Sequence, residues 1–148
     1  MKNTAATDTD AADVRRRLDD LLQAIRAMDV ERVKNMYATE VTSFDVEPPL
    51  QHLGVEAKLH NWNGVFAAFK PPLGYEVRDL EVLVSGSLAV AHCLNRLSGT
   101  TKSGHDTGMW VRSTICLEKM DGRWMIVHDH VSVPLDVASG RGLVNLTP

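Results

Sequence analysis

Four residues in this chain have side chains and spacing suited to moving a proton: Asp45, Arg112, His128 and His130. His128 and His130 lie two apart in an apolar, β-branched run, so in a strand their imidazoles share a face. Imidazoles titrate near neutral pH, where acid/base exchange is easiest. Asp45 closes a short run, Val41 to Val46, that Pro48-Pro49 stops from continuing as a central strand. A carboxylate at such an edge, aimed into an apolar hollow, is partly desolvated and gains basicity, which suits it to take a proton from a carbon next to a carbonyl. The same aspartate can instead simply close a turn. Arg112 offers a planar fork of donors for a carboxylate or an enolate oxygen, or an internal salt bridge, with Asp45 as one partner.

Which of these residues meet depends on the turn between the last two strands. A two-residue turn at Asp121-Gly122 sets Lys119 opposite Trp124 and Ile115 opposite His128, mixing polar and apolar residues on both faces. A three-residue loop, Met120-Asp121-Gly122, sets Thr114 opposite His128 and Arg112 opposite His130. This second register collects Trp110, Arg112, Thr114, His128, His130 and Ser132 on one face. Val111, Ile115, Leu117, Met125, Val127, Val131 and Val133 fall on the other, with Ser113 and Asp129 as its polar exceptions. The expectation is that the polar face lines a concave pocket and that the apolar face, too large to stay wet, packs against a second copy in a homodimer.

Around this centre, Trp62, His92, Trp110, Thr114 and Ser132 are the expected substrate-lining residues. His128, His130 and His92 could between them hold zinc or iron, but residues two apart are common in strands, and no metal is expected. His52, His60 and His105 fall in loops or on a helix. No phosphate-cradling glycine loop, Gly-x-Ser-x-Gly elbow or Cys-His nucleophile pairing is present, so no cofactor is expected. Cys93 and Cys116 sit in apolar runs without metal or redox spacing and read as buried thiols.

The elements that must position these groups follow from periodicity. The first ten residues are polar and read as a mobile tail, residues 1–10, ahead of a single domain over 11–148. Val14, Leu18, Leu21, Leu22, Ile25 and Met28 mark one helix face. Asp29 is the expected N-cap of a short second helix through Tyr37. Gly54 to Phe69 carries Val55, Leu59, Trp62, Val65, Phe66 and Phe69 at helical spacing and ends at Pro71-Pro72. Four strands follow, Tyr75 to Val84, Ser87 to Leu97, Met109 to Lys119 and Arg123 to Val133, and beyond about 134 the chain is a polar, glycine-rich extension. Helices first and an antiparallel meander after make an α+β domain.

The 148 residues suffice for one core, and 44% hydrophobic and 24% charged residues with a net charge of −3 are ordinary for a globular domain. That balance argues against nucleic acid as partner. With no apolar run long enough to span a bilayer and no apolar leader, no membrane partner is expected and the location is expected to be cytoplasmic.

The segments Trp110-Val-Arg-Ser-Thr and Asp121-Gly-Arg-Trp-Met-Ile-Val-His-Asp-His-Val-Ser-Val-Pro, with Phe44-Asp-Val-Glu-Pro-Pro-Leu and His92-Cys-Leu-Asn-Arg-Leu-Ser-Gly-Thr, resemble the SnoaL-like, ketosteroid isomerase-like branch of the nuclear transport factor two-like superfamily. The resemblance implies a cone-shaped α+β barrel, three N-terminal helices packed on a strongly curved antiparallel sheet. In ketosteroid isomerases the general-base aspartate lies eight residues after a Tyr-Ala pair, and Tyr37-Ala38 leads to Asp45 at that offset. The family's oxyanion-hole tyrosine and protonated aspartic acid would fall at Leu21 and Thr114, so both are replaced here and steroid isomerisation is not implied. Where this branch often has an acidic residue two before the tryptophan, this chain has Gly108. The expected activity is proton transfer on a small carbonyl compound, of isomerase, cyclase or dehydratase type. The alternative is a domain that binds a small ligand or dimerises without catalysis.

Overall fold

The protein, seen in a computed structural model, is described over residues 4–148. Helix α1, Thr4–Arg26, carries the Val14-to-Ile25 stripe into the core, where Val14, Ala24 and Ile25 are fully buried. It starts seven residues before the expected Ala11. The tail expected over 1–10 is thus corrected to helix from Thr4 onward, and residues 1–3 of that expectation lie outside the described residues. Asp10 on this added turn receives Lys119 at 2.8 Å, fastening the helix to the sheet.

Just past α1, Met28 has a left-handed φ of 53°, and Asp29 N–H returns to the Ala24 carbonyl and Met28 N–H to that of Ile25. These two bonds satisfy carbonyls that a helix end leaves open. Asp29 then caps α2, Val30–Lys34, its carboxylate accepting the Arg32 N–H at 3.0 Å. α2 stops short of Tyr37, which instead opens strand β1, Tyr37–Phe44. The two-residue β2, His52–Leu53, pairs back on β1 before α3, Val55–Ala68.

Strands β3 (Gly74–Ser85), β4 (Leu88–Thr100), β5 (Asp106–Met120) and β6 (Arg123–Ser132) form an antiparallel meander. β1 joins β6 in parallel, giving the sheet order β2-β1-β6-β5-β4-β3. A small hairpin of β7, Leu135–Asp136, and β8, Arg141–Gly142, follows. The concave face of the sheet packs on α1 and α3 through Leu117, Trp124, Ile126, Val41 and Ala89. No helix among the described residues is long and apolar enough to cross a membrane.

The last hairpin corrects the expected register. Asp121 (φ 49°) and Gly122 (φ 78°) are both left-handed and form the two-residue turn that sequence reasoning had set aside, with Met120 opposite Arg123 and Lys119 opposite Trp124. Further along, Val127 is an extra residue in β6, a bulge between the pairs Leu117–Ile126 and Cys116–His128. Beyond it Thr114 stands opposite His130 and Arg112 opposite Ser132. The bulge changes the alternation, so Trp124 and Ile126 before it and Asp129 after it are all buried on the same side.

The expected faces are therefore inverted. Trp110, Arg112, Thr114, His128, His130 and Ser132 do share a face, but it is the outer one: Arg112, Thr114 and His130 are exposed, whereas Val111, Ser113 and Asp129 are buried. Apolar area decides this, since burying a Val or Leu side chain gains about 1.5–3 kcal/mol while a buried, unpaired Arg or imidazolium costs more. The apolar face thus forms the core and is not available to a second copy.

Candidate functional site

The polar centre of the cone is built on the two exceptions of the apolar face and on a lysine. Ser43 on β1 and Asp129 on β6 are in register on neighbouring parallel strands, both facing inward, and the Ser43 hydroxyl donates to Asp129 Oδ1. Lys58 enters from α3. It sits three residues after Val55 and four before Trp62, on the apolar stripe of the helix, so its side chain is directed into the core and is only 2% exposed. Its Nζ lies 3.0 Å from Asp129 Oδ2, 3.0 Å from Asp45 Oδ2 and 3.1 Å from Ser43 Oγ. The ammonium donates to Asp45 and Ser43 and is ion-paired with Asp129. Tyr37, at the start of β1, donates its hydroxyl to Asp129 Oδ2 at 3.3 Å.

Electrostatics fix the charge states. Burial pushes the Lys58 ammonium down, but the Tyr37 phenol and the carboxylates of Asp129 and Asp45 more than reverse this, and the net direction is strongly upward. Lys58 is a fixed cation here, not an amine nucleophile. Burial raises the Asp45 carboxyl; the Lys58 ammonium, the Asn61 amide and the Val46 N–H overcome it and hold Asp45 below its ordinary value. Burial also raises the Tyr37 phenol, which stays protonated as a donor. The indole N–H of Trp62 lies beside that phenol without reaching hydrogen-bond geometry.

Asp45 is the open member of the group. Its side chain is 16% exposed against 6% for Asp129, and it lines a cavity of about 130 Å³ under α3 together with Lys58, Asn61 and Trp62. Val65, Leu97, Met109, Val111 and Val131 supply the apolar walls. Asn61 links Asp45 to His52, whose Nε2 it meets at 3.3 Å. The Tyr75 ring closes one side, edge-on to Trp62 at 6.1 Å. Burial raises the Tyr75 phenol, which keeps its proton.

Of the residues expected from sequence, the structure brings Asp45 and Trp62 to this cavity and none of the others. Arg112 lies on the outer face, donating to Ser132 Oγ at 3.1 Å and the Val133 carbonyl at 3.3 Å. Its Asp45 salt bridge is replaced by one from Lys58. His128 donates its Nδ1–H to the Thr42 carbonyl (2.7 Å) and meets Phe44 edge-on at 4.8 Å; the His130 ring meets Phe44 edge-on at 5.5 Å. His92 and Thr114 are paired neighbours on the outer face, and Trp110 is half-buried there opposite Arg96. These positions remove His92, Trp110, Arg112, Thr114, His128, His130 and Ser132 from the interior. Sequence reasoning missed Lys58, Asp129, Tyr37, Ser43, Asn61 and His52. The signals were a lysine on an apolar helical stripe and an aspartate on an apolar strand face.

Several proteins of known structure share this architecture. An NTF2-like protein of unknown function from Pseudomonas putida is 28% identical over 99% of both chains, with a TM-score of 0.83. A ketosteroid isomerase-like protein from Erwinia carotovora is 19% identical over 82% of this chain and 94% of its own, TM-score 0.70. The association domain of C. elegans CaMKII is 21% identical over 86% and 98%, TM-score 0.70. No curated protein matches this sequence. Residues 14–136 match the SnoaL-like domain, and with the cone of helices on a curved sheet this places the chain in the SnoaL-like family of the NTF2-like superfamily.

Proposed function

We propose that the cavity under α3 binds a small, partly apolar carbonyl compound and that Asp45 moves a proton at the carbon beside its carbonyl. The observation that carries this reading is an ionised carboxylate, Asp45, opening into a largely apolar cavity while its charge is held by a buried ammonium. The carboxylate takes the proton, the C–H electron pair passes into an enolate, and the proton returns at the same or a conjugated carbon. Tyr75, protonated and lining the same cavity, is the candidate donor to the enolate oxygen. Lys58 keeps Asp45 ionised and so available, but weakens it as a base. Substrates with an already activated C–H, such as small cyclic β,γ-unsaturated ketones, fit that weakness best.

The test is proton–deuterium exchange and double-bond migration of such ketones in D₂O, followed by NMR with wild-type protein and Asp45→Asn. The reading expects catalysed exchange that Asp45→Asn lowers by at least about 10²-fold. Equal rates for the two proteins would reject it.

A second reading, self-association without catalysis, is favoured by exposed apolar residues on the outer face. Leu83 on β3 and Val90 on β4 are paired neighbours there, 66% and 38% exposed, with Cys116 next in the row. A homodimer would cover them, and one structural neighbour is itself an association domain. Sedimentation at micromolar concentration tests this: a dimer mass lost on Val90→Lys supports it, and a monomer mass for the wild type rejects it.

A further inference from the structure

The loop that leaves β1 at Asp45 returns through His52, and this histidine faces inward. On β2 it stands opposite Ser43 of β1, on the row that continues to Asp129, and it is only 4% exposed. Its Nε2 lies 3.3 Å from two groups, Asn61 Nδ2 on α3 and the Glu47 carbonyl in the loop. The two contacts ask opposite things of one ring nitrogen. Without a proton Nε2 accepts from the amide; with one it donates to the carbonyl, and it cannot do both. Asp45 decides between them. Its carboxylate is ionised and only accepts, so the Asn61 group bonded to it is the amide NH₂. The second proton of that NH₂ is then the one that meets Nε2, which must be bare, with the imidazole proton on Nδ1. The ionisable groups around the ring are Lys58 on α3 and Asp129 on β6, both bonded to Ser43, and Asp45 and Glu47 in the loop. Glu40 on β1 and Glu56 and His60 on α3 are exposed.

We propose that His52, with its proton on Nδ1, is the positioning residue for Asp45: its Nε2 takes the second Asn61 proton and keeps the amide turned to the carboxylate, and a proton arriving at Nε2 moves the ring's bond to the Glu47 carbonyl and releases Asn61. The inference rests on Asp45 as the proton carrier and adds the regulation of that same site. Once Nε2 is protonated, N–H faces N–H between ring and amide, and no hydrogen bond forms. The amide gains nothing by flipping, because its Oδ1 would then face the Asp45 carboxylate. Either way Asp45 keeps Lys58 and the Val46 N–H but loses one of the donors that aim it, so its position toward a substrate is no longer fixed. The bond to Glu47 meanwhile ties down a loop residue that lines the same cavity.

The experiment is NMR on the full-length protein with ¹⁵N-labelled histidine and asparagine and ¹³C-labelled aspartate. Long-range proton–nitrogen spectra at about pH 8, where imidazoles are ordinarily neutral, should show His52 in the Nδ1–H form. On acidification the Asn61 side-chain amide signals should move with the same midpoint as the His52 ring. His52→Phe should shift the Asp45 carboxyl titration upward, because a donor to its ionised form is lost. His52→Gln, whose amide oxygen can stand where Nε2 stands, should restore the wild-type titration, and in Asn61→Leu the change His52→Phe should add no further shift. An Nε2–H tautomer at that pH, an Asn61 amide that ignores protonation of the His52 ring, or an Asp45 titration unmoved by His52→Phe would each overturn the proposal. The first two are read on the wild type and stand even if a variant fails to fold. None of these readouts uses turnover, so failure here is separate from failure of proton transfer at Asp45.

Discussion

Lys58 Nζ lies 3.0 Å from Asp129 Oδ2, joining the first turn of α3 to the inner face of β6 through one buried ion pair. Because the same ammonium also reaches Asp45, a single cation serves two carboxylates, and the helix, β1 and β6 are fastened at one point. Taking charges out of water costs several kcal/mol per ion, so such a group persists only while every member has partners.

Removing the cation should therefore be severe. Lys58→Met leaves Asp45 and Asp129 facing each other's charge, and a loss of about 3–5 kcal/mol is expected in urea unfolding. Adding Asp129→Asn to it should cost less than the sum of the two single changes, by about 1 kcal/mol or more, because the second change removes a charge already stranded by the first. Strict additivity would show that the pair is not coupled.

Acid should weaken the protein through Asp45. Its folded-state value lies below the ordinary 3.8, so ionised Asp45 adds stability that is fully present above 3.8 and is lost as pH falls through the depressed folded value. Thermal melts of Asp45→Asn between pH 7 and pH 2 should show a flatter acid limb than wild type. An identical limb would place the acid sensitivity elsewhere.

The turn at Asp121-Gly122 should be intolerant of a side chain at its second position. Gly122 has open space around a Cβ but a φ of 78°, so Gly122→Ala is expected to cost about 1 kcal/mol through backbone strain alone, measurable as a lower midpoint in urea.

The fold was legible because its signals are local: the α1 stripe, the Asp29 cap, the α3 stripe and the strand-and-turn rhythm of β3 to β6 each correspond to an element. The site was legible only where chain order alone placed it, as with Asp45 seven residues past Ala38 and Trp62 on the inner face of α3. The inversion of the sheet faces traces to Val127. A bulge is invisible to a period-of-two reading, and without it no register of β5 and β6 puts Trp124, Ile126 and Asp129 together inside. Ser113 and Asp129 looked like blemishes on an apolar face, yet Asp129 is the anchor for Lys58, Tyr37 and Ser43. A lysine's preference for solvent concealed Lys58, although its position on the stripe left its side chain no other direction.

The most direct test sets the interior against the outer face in one reaction. Exchange of a small cyclic β,γ-unsaturated ketone in D₂O should fall by at least about 10²-fold in Asp45→Asn. In His128→Gln, His130→Gln and Arg112→Leu it should stay within about threefold of wild type, a difference under 1 kcal/mol in the barrier. Loss of exchange in the histidine variants with full activity in Asp45→Asn would contradict an interior proton-transfer centre.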